Sequence, residues 1–349
     1  MSERPIQELM GAPGSPYTRK MLAMMRFRNI PYRLERHSRL FQGTVNPHHK
    51  ERAQPKVPLL PTYYFADENG EEVAVTDSSP LIRRFEKDYE GRSVIPPDPA
   101  LAFIDMLLED FGDEWLTKAM FHYRWHYDAD IKKAGDILPR WGKINMPEDQ
   151  AQQLGEFVRE RQISRLSYVG SNATTKPTIE DSFKRFAALL DKHLTDHPFL
   201  MGERPGSSDF AIYGQLTCLA LFDPTPQAWL LEHHPRIYAW IEVVEDLSGY
   251  QVSSDDWLNA DSLPRTLVDI LGEVGRVYAP YLIGNARAVM EKSEKMTMEL
   301  DGRPWEQNPF PYQAKCLQWL REAWQELDEP ARARIDGVLE SAGVMQLFS

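Results

Sequence analysis

The chain has 349 residues, enough for two or three domains that each bury a core. Apolar residues make up 42% and charged residues 26%, an ordinary globular composition that excludes a mostly disordered chain. With 40 Lys and Arg against 52 Asp and Glu the net charge is −12, which gives no general attraction to phosphate backbones or anionic membranes and speaks against a nucleic-acid binder.

The first residues, MSERPIQELM, have no apolar signal core, so secretion is not expected. Ile6–Met10 reads as a short strand, followed by the loop Gly11-Ala12-Pro13-Gly14. A helix is predicted over 16–28, with Ser15 as N-cap and Pro16 at its first position. Tyr32–Glu35 reads as a second strand and Asn46-Pro47 as a turn. Leu59–Phe65 and Glu72–Thr76 flank the polar turn around Asn69-Gly70, a hairpin signature, and Asp77–Glu86 reads as a helix. These elements make a small α/β unit with a mixed sheet over residues 1–92.

Ile95-Pro96-Pro97-Asp98-Pro99 is a linker, because its prolines cannot continue a helix. Beyond it the pattern is helical. One long helix is predicted from Leu101 to about Ile131, then a less regular insert at 135–177, then helices over 179–194, 207–221 and 235–247. The 13 residues of 210–222 form the least charged stretch of the second half, short of the ~20 a spanning helix needs. The last block, 251–349, adds two or three amphipathic helices around Leu263–Lys292, Tyr312–Leu327 and Pro330–Ala342. Cys218 and Cys316 form no CxxC pair, which excludes a disulfide scaffold and a thiolate zinc site and makes a reducing cytoplasm the default.

Three short motifs carry chemistry. In Gly14-Ser15-Pro16-Tyr17 a hydroxyl stands at a helix N-terminus, where free N–H groups and the helix dipole favour negative charge and so would stabilise a thiolate; Ser15 as a plain cap is the alternative. In Lys56-Val57-Pro58 a proline precedes a strand, and a cis bond there would turn the Val57 backbone toward a bound peptide; an ordinary trans proline is the alternative. In Thr76-Asp77-Ser78-Ser79 an acid and a hydroxyl precede a helix, suited to an amino-acid head group or simply to capping.

Taken in order, the strings GSPYTRKMLAMMRFRNIPY, KVPLLP and TDSSPLIRRFE resemble the glutathione transferase family, as does Phe199–Pro205 followed by Ser208-Asp209-Phe210-Ala211. The resemblance covers roughly residues 5–92 and 99–250. It implies a thioredoxin-like α/β N-terminal domain (1–92) that binds glutathione, and an all-α domain (99–250) that holds an electrophile pocket. A helical extension (251–349) is expected to pack on the latter. It also implies that Ser15 hydrogen-bonds the glutathione sulfur, that Val57 pairs with the cysteinyl part beside a cis Pro58, and that Asp77 and Ser78 hold the γ-glutamyl end. Tyr17 and Lys56 are further candidates for glutathione, and Phe111, Trp115 and Tyr123 for the electrophile pocket.

The activity implied is that of a cytoplasmic, detoxifying glutathione transferase that conjugates or reduces a small hydrophobic electrophile without a metal. A non-catalytic glutathione- or ligand-binding protein of the same fold and a glutathione-dependent thiol–disulfide reductase are the alternatives; neither nucleic acid nor membrane is expected as a partner, and the resemblance allows a homodimer. Three features depart from the family pattern. Position 15 is not cysteine, Gly206 stands where a capping Ser or Thr is usual, and the chain is longer by roughly a hundred residues.

Outside these motifs, ten Lys and Arg lie in residues 17–56 against Glu35 and Glu51, either an electropositive rim or a face that balances the acidic helical domain. His122 and His126 stand at i, i+4 with no third ligand in view, so no metal site is expected. Cys218, in an apolar run, reads as a small buried hydrophobe.

Overall fold

A computed structural model describes residues 5–36 and 51–349. The Asn46-Pro47 turn and the basic residues Arg39 and Lys50 lie outside the described residues, as does the side chain of Arg36. The first unit comprises β1 (Gln7–Gly11), α1 (Pro16–Phe27), β2 (Tyr32–Arg36), β3 (Thr62–Ala66), β4 (Glu72–Val75) and α2 (Ser78–Asp88). Its sheet order is β2-β1-β3-β4, with β1 parallel to β2 and antiparallel to β3, the mixed sheet that the element order predicts. The start of α1 follows from its sequence: the Ser15 hydroxyl accepts from the Thr18 N–H at 3.2 Å, and Pro16 occupies the first position, where no donor is needed. Beyond its end, Asn29 takes the left-handed conformation at φ 52° that Asn tolerates. Tyr63, on β3, meets Met25 of α1 and the Phe85 ring of α2, so both helices cover one face of the sheet.

The long helix expected from Leu101 to Ile131 is divided. α3 (Pro99–Glu114), α4 (Leu116–His126) and α5 (Asp128–Gly142) are separate helices. At Tyr127 the backbone turns extended (φ −100°, ψ 135°), and two aspartates, Asp128 and Asp130, restart the helix where negative charge favours an N-terminus. At Trp115 the indole N–H is drawn to the Ser182 hydroxyl at 2.8 Å, which fixes the joint between α3 and α4. The insert is not irregular either: α5 packs against α6 (Glu148–Ile163). Small residues make this contact, with Gly155 so close to the Gly135 carbonyl that a Cβ there would stand 2.6 Å from it. A face built from glycine and alanine gives little apolar periodicity to read.

The remaining helices are α7 (Lys176–His193), α8 (Ser207–Leu216), α9 (Pro224–His233) and α10 (Pro235–Val244), with a π-helical stretch Thr217–Phe222 continuing α8. The C-terminal block holds α11 (Arg265–Glu273), α12 (Ala279–Met290), α13 (Pro311–Glu326) and α14 (Glu329–Ser341). It also holds a hairpin that the helical reading does not include, β5 (Met296–Leu300) and β6 (Arg303–Gln307). Its turn is Asp301-Gly302, both at positive φ (55° and 71°), the two-residue turn that matches strand twist.

The block shares one core with the rest of the molecule. The Phe103 ring of α3 packs at a tilt on Trp324 and edge-on to Phe348, and Trp115 packs against Tyr281 and Trp305. Among the described residues no helix is long and apolar enough to cross a membrane.

Candidate functional site

The first turn of α1 meets the chain just before β3. There the Ser15 hydroxyl, which already accepts from Thr18, donates to the Leu60 carbonyl at 3.3 Å. The acceptor side of the hydroxyl is thus committed to the helix, while its single proton makes a long bond. Among the described residues the cis peptide is Leu60–Pro61, not Val57–Pro58 as the sequence reading has it. The Val57 carbonyl is taken up by the Leu59 N–H at 2.8 Å, and Val57 and Lys56 are both exposed. The Leu60 carbonyl, not the Val57 backbone, therefore meets the Ser15 hydroxyl. The signal was available: a second X-Pro pair, Leu60–Pro61, stands directly before Thr62-Tyr63-Tyr64-Phe65, and the strand begins there rather than at Leu59.

One turn further along α1, Lys20 is fully buried and reaches the start of α2. Its ammonium donates to the Ser78 hydroxyl at 3.2 Å, to Glu109 at 2.8 Å and to Asp113 at 2.5 Å. Ser79 donates to Asp113, and Arg83 pairs with Glu109 at 2.9 Å. Burial would neutralise Lys20, but Asp113 and Glu109 outweigh it and raise its pKa. Burial pushes Asp113 up to about 6, against the pull of Lys20; for Glu109 burial is overcome by Lys20 and Arg83, which hold its carboxyl far below the usual range. Sequence reasoning missed this cluster. Its signal was Asp105, Glu109 and Asp113 at four-residue steps, one acidic stripe on a largely apolar helix.

Asp77 and Ser78 thus sit at the edge of a fixed charged network. Ser78 is buried, and Asp77 is held by the Tyr312 hydroxyl of α13 at 2.8 Å. Tyr17 has another employment than the one expected: its hydroxyl donates to the Asp113 carbonyl at 2.8 Å, joining α1 to α3. Burial, then Glu114 and Asp113, raise its pKa and keep the phenol neutral.

Among the described residues, the aromatic side chains expected to line an electrophile pocket are packed in the core. Phe111 is fully buried between Phe186 and Tyr278, Trp115 lies among Tyr278, Tyr281 and Trp305, and Tyr123 stacks on Tyr127 and meets Phe183 edge-on. The gap beside Trp115 and Phe183 has no room for a water molecule. The C-terminal block supplies Tyr278, Tyr281 and Trp305 to this region and α7 supplies Phe183 and Phe186, which a helix pattern alone does not show. Above the Ser15 loop, Leu138 and Trp141 of α5 close on Gly14, where a Cβ would stand 2.7 and 2.6 Å from them. Arg124, paired with Asp223, donates to the Gly14 carbonyl at 3.0 Å.

The basic residues of 17–56 are largely paired rather than arrayed as a rim. Arg19 and Arg26 reach Glu245 in the helical domain, Lys20 reaches α3, and Arg52 is ringed by Glu8, Glu35 and Glu72. Among the described residues, Arg19, Lys20 and Arg26 thus balance acids of the helical domain, while Arg52 is neutralised within the first unit. The His122 and His126 rings stack at 4.7 Å, with His122 facing Ser171 and Glu180 and His126 accepting from Lys176. Among the described residues no three His, Cys, Asp or Glu are grouped to hold a metal. Cys218 is buried, as an apolar reading requires.

Comparisons with known proteins agree with this architecture. Residues 9–93 match the glutathione S-transferase N-terminal domain, and residues 162–247 match the glutathione S-transferase C-terminal domain. No curated protein matches the chain. Among solved structures, a glutathione S-transferase from Methylobacterium radiotolerans in complex with glutathione sulfonate is 17% identical, with 74% of this chain and 98% of that chain covered and a TM-score of 0.40. FzlA from C. crescentus is 13% identical (76% and 92% covered, TM-score 0.40). A glutathione transferase family member from Pseudomonas fluorescens with bound S-(propanoic acid)-glutathione is 15% identical (68% and 93% covered, TM-score 0.37).

Proposed function

We propose that this chain, which belongs to the glutathione S-transferase family through both of its matched domains, is a glutathione-dependent transferase whose thiolate is stabilised by Ser15. Glutathione, when bound, supplies the thiol nucleophile. The residues present fit such a ligand: a hydroxyl at a helix N-terminus for the sulfur, the backbone of Leu60 for the cysteinyl amide, and Asp77 with Ser78 for the ammonium and carboxylate of the γ-glutamyl end. The observation that carries the reading is the meeting of Ser15 with Leu60 at 3.3 Å, where the first turn of α1 and the start of β3 converge. Ser15 keeps its cap by accepting from Thr18 and can turn its proton from the weakly held carbonyl to a sulfur anion. The dipole of α1 acts in the same sense.

One observation favours a second reading, a glutathione-binding protein without turnover. The side chains expected to wall an electrophile pocket are core, so other residues would have to form one. A single variant separates the two readings. Ser15→Ala should raise the pH midpoint of turnover with an aryl halide by about one unit, worth ~1.4 kcal/mol, while glutathione affinity stays nearly unchanged. If Ser15 only caps α1, the variant loses about 1 kcal/mol of stability and the pH profile does not move.

A further inference from the structure

We propose that Tyr312, from the C-terminal block, is a positioning residue for the γ-glutamyl end of glutathione and acts by holding the Asp77 carboxylate; this rests on the assignment of Asp77 made above. Asp77 stands at the N-cap of α2, yet its side chain does not cap that helix. Its backbone is held at φ 86°, a conformation that only Gly adopts freely, and its carboxylate turns to α13, where the Tyr312 hydroxyl donates to it at 2.8 Å.

Tyr312 is not on a loose tail. Two residues before it, the backbone of Phe310 is clamped by the buried Asn285 of α12, which accepts from its N–H at 2.8 Å and donates to its carbonyl at 2.9 Å. One residue after it, Gln313 donates to both the backbone and the carboxylate of Glu114 and contacts the Tyr281 hydroxyl. The Trp319 ring meets Tyr312 edge-on at 6.0 Å. A hydroxyl fixed on both sides along the chain can orient an acid; it is poorly suited to swinging away as a gate.

The charges around Asp77 make the hydroxyl matter. Lys20 of α1 and Glu109 of α3 face it, and Cys316 and Tyr312 face it from α13, with Glu114 acting on Tyr312. Burial raises the Asp77 pKa, and the Tyr312 hydroxyl and the Lys20 charge work against that rise. An ammonium group needs the ionised form. Removing the phenol hydroxyl takes away a donor to the carboxylate, so Asp77 holds its proton to higher pH and attracts the ammonium less below that point.

Calorimetric titration of the full-length protein with glutathione, from about pH 5 to about pH 8, tests this with Tyr312→Phe, Asp77→Asn and the double variant. Tyr312→Phe should weaken binding roughly fivefold near the acidic end, with the loss shrinking as pH rises, and should add nothing in the Asp77→Asn background. Unchanged affinity and pH profile, or tighter binding by the Phe variant, would overturn the role of Tyr312 while leaving the pocket in place. A wild-type protein that does not bind, or an Asp77→Asn variant that binds as well as wild type, would overturn the pocket assignment and this proposal with it.

Discussion

Gly206 stands where a capping Ser or Thr is expected, and the neighbouring residues explain why no side chain is needed there. The Asp209 carboxylate accepts from the Gly206 and Leu200 N–H groups at 2.9 and 2.8 Å. Two further donors of the α8 N-terminus, Ser207 and Ser208, are satisfied from another helix by Asp105, through both backbone N–H and hydroxyl groups. A Cβ on residue 206 would stand 2.3 Å from an Asp105 oxygen, so Gly206 is what lets the carboxylate approach. Gly206→Ala should destabilise the protein by about 1–3 kcal/mol, by overpacking and by displacing a buried acceptor, and a urea titration would show it. A change of less than about 0.5 kcal/mol would mean the carboxylate has room to retreat. The departure at 206 was legible as an oddity, but its partner Asp105, about a hundred residues earlier, was not. Lys20 is similar: a lysine on the stripe of Met24 and Phe27 breaks the apolar face, yet only the fold brings Glu109 and Asp113 to it.

At the scale of elements, α4 and α7 are tied through Glu180. It accepts from the Tyr127 hydroxyl at 2.6 Å and faces His122 at 3.0 Å, with Lys176 at 3.6 Å. Burial alone would raise its pKa, but the hydrogen bonds from His122 and Tyr127 and the Lys176 charge bring it down to about 2 from the ordinary 4.5. A carboxyl depressed in the folded state stabilises above its unfolded pKa, and that stability disappears as pH falls from about 4.5 toward about 2. Glu180→Gln should therefore lower stability by about 1–3 kcal/mol near neutrality, and the gap from wild type should close across that acid window. Urea midpoints at a series of pH values check this; a gap that stays constant would remove the carboxylate from the account.

The elements themselves were readable to different degrees. Ser15-Pro16 and Asn69-Gly70 give local instructions, and the first unit forms much as they dictate. Asp301-Gly302 carries the same kind of instruction between Met296–Leu300 and Arg303–Gln307, and a helical reading of the block passes over it. The joints at Trp115 and Tyr127 depend on tertiary partners such as Ser182 and Glu180, so an apolar pattern that continues through them reads as one helix.

Over the whole molecule, the C-terminal block is what turns the expected pocket into core. Phe103, Phe111 and Trp115 lie almost wholly out of solvent because Tyr278, Trp305, Trp324 and Phe348 cover them, and aromatic side chains of this kind bury about 150–250 Å² each. Ion pairs cross the same seam, Arg334 with Asp98 and Arg185 with Glu273. Truncation after residue 255 would expose this surface along the length of α3, so the shortened chain should be insoluble or melt at a lower temperature. It should also lose glutathione affinity, since Tyr312 leaves with the block. Insolubility alone would not show which contacts matter, and Trp305→Ala addresses that. The Trp305 side chain is among the largest that are fully buried, and its removal leaves a cavity between α4, α12 and the hairpin. It should cost about 3–5 kcal/mol while the chain stays in solution. A soluble truncation with an unchanged melting temperature, together with a Trp305→Ala variant as stable as wild type, would make the block an appendage; the loss of stability in both makes it part of the fold that places Asp77 and Ser78.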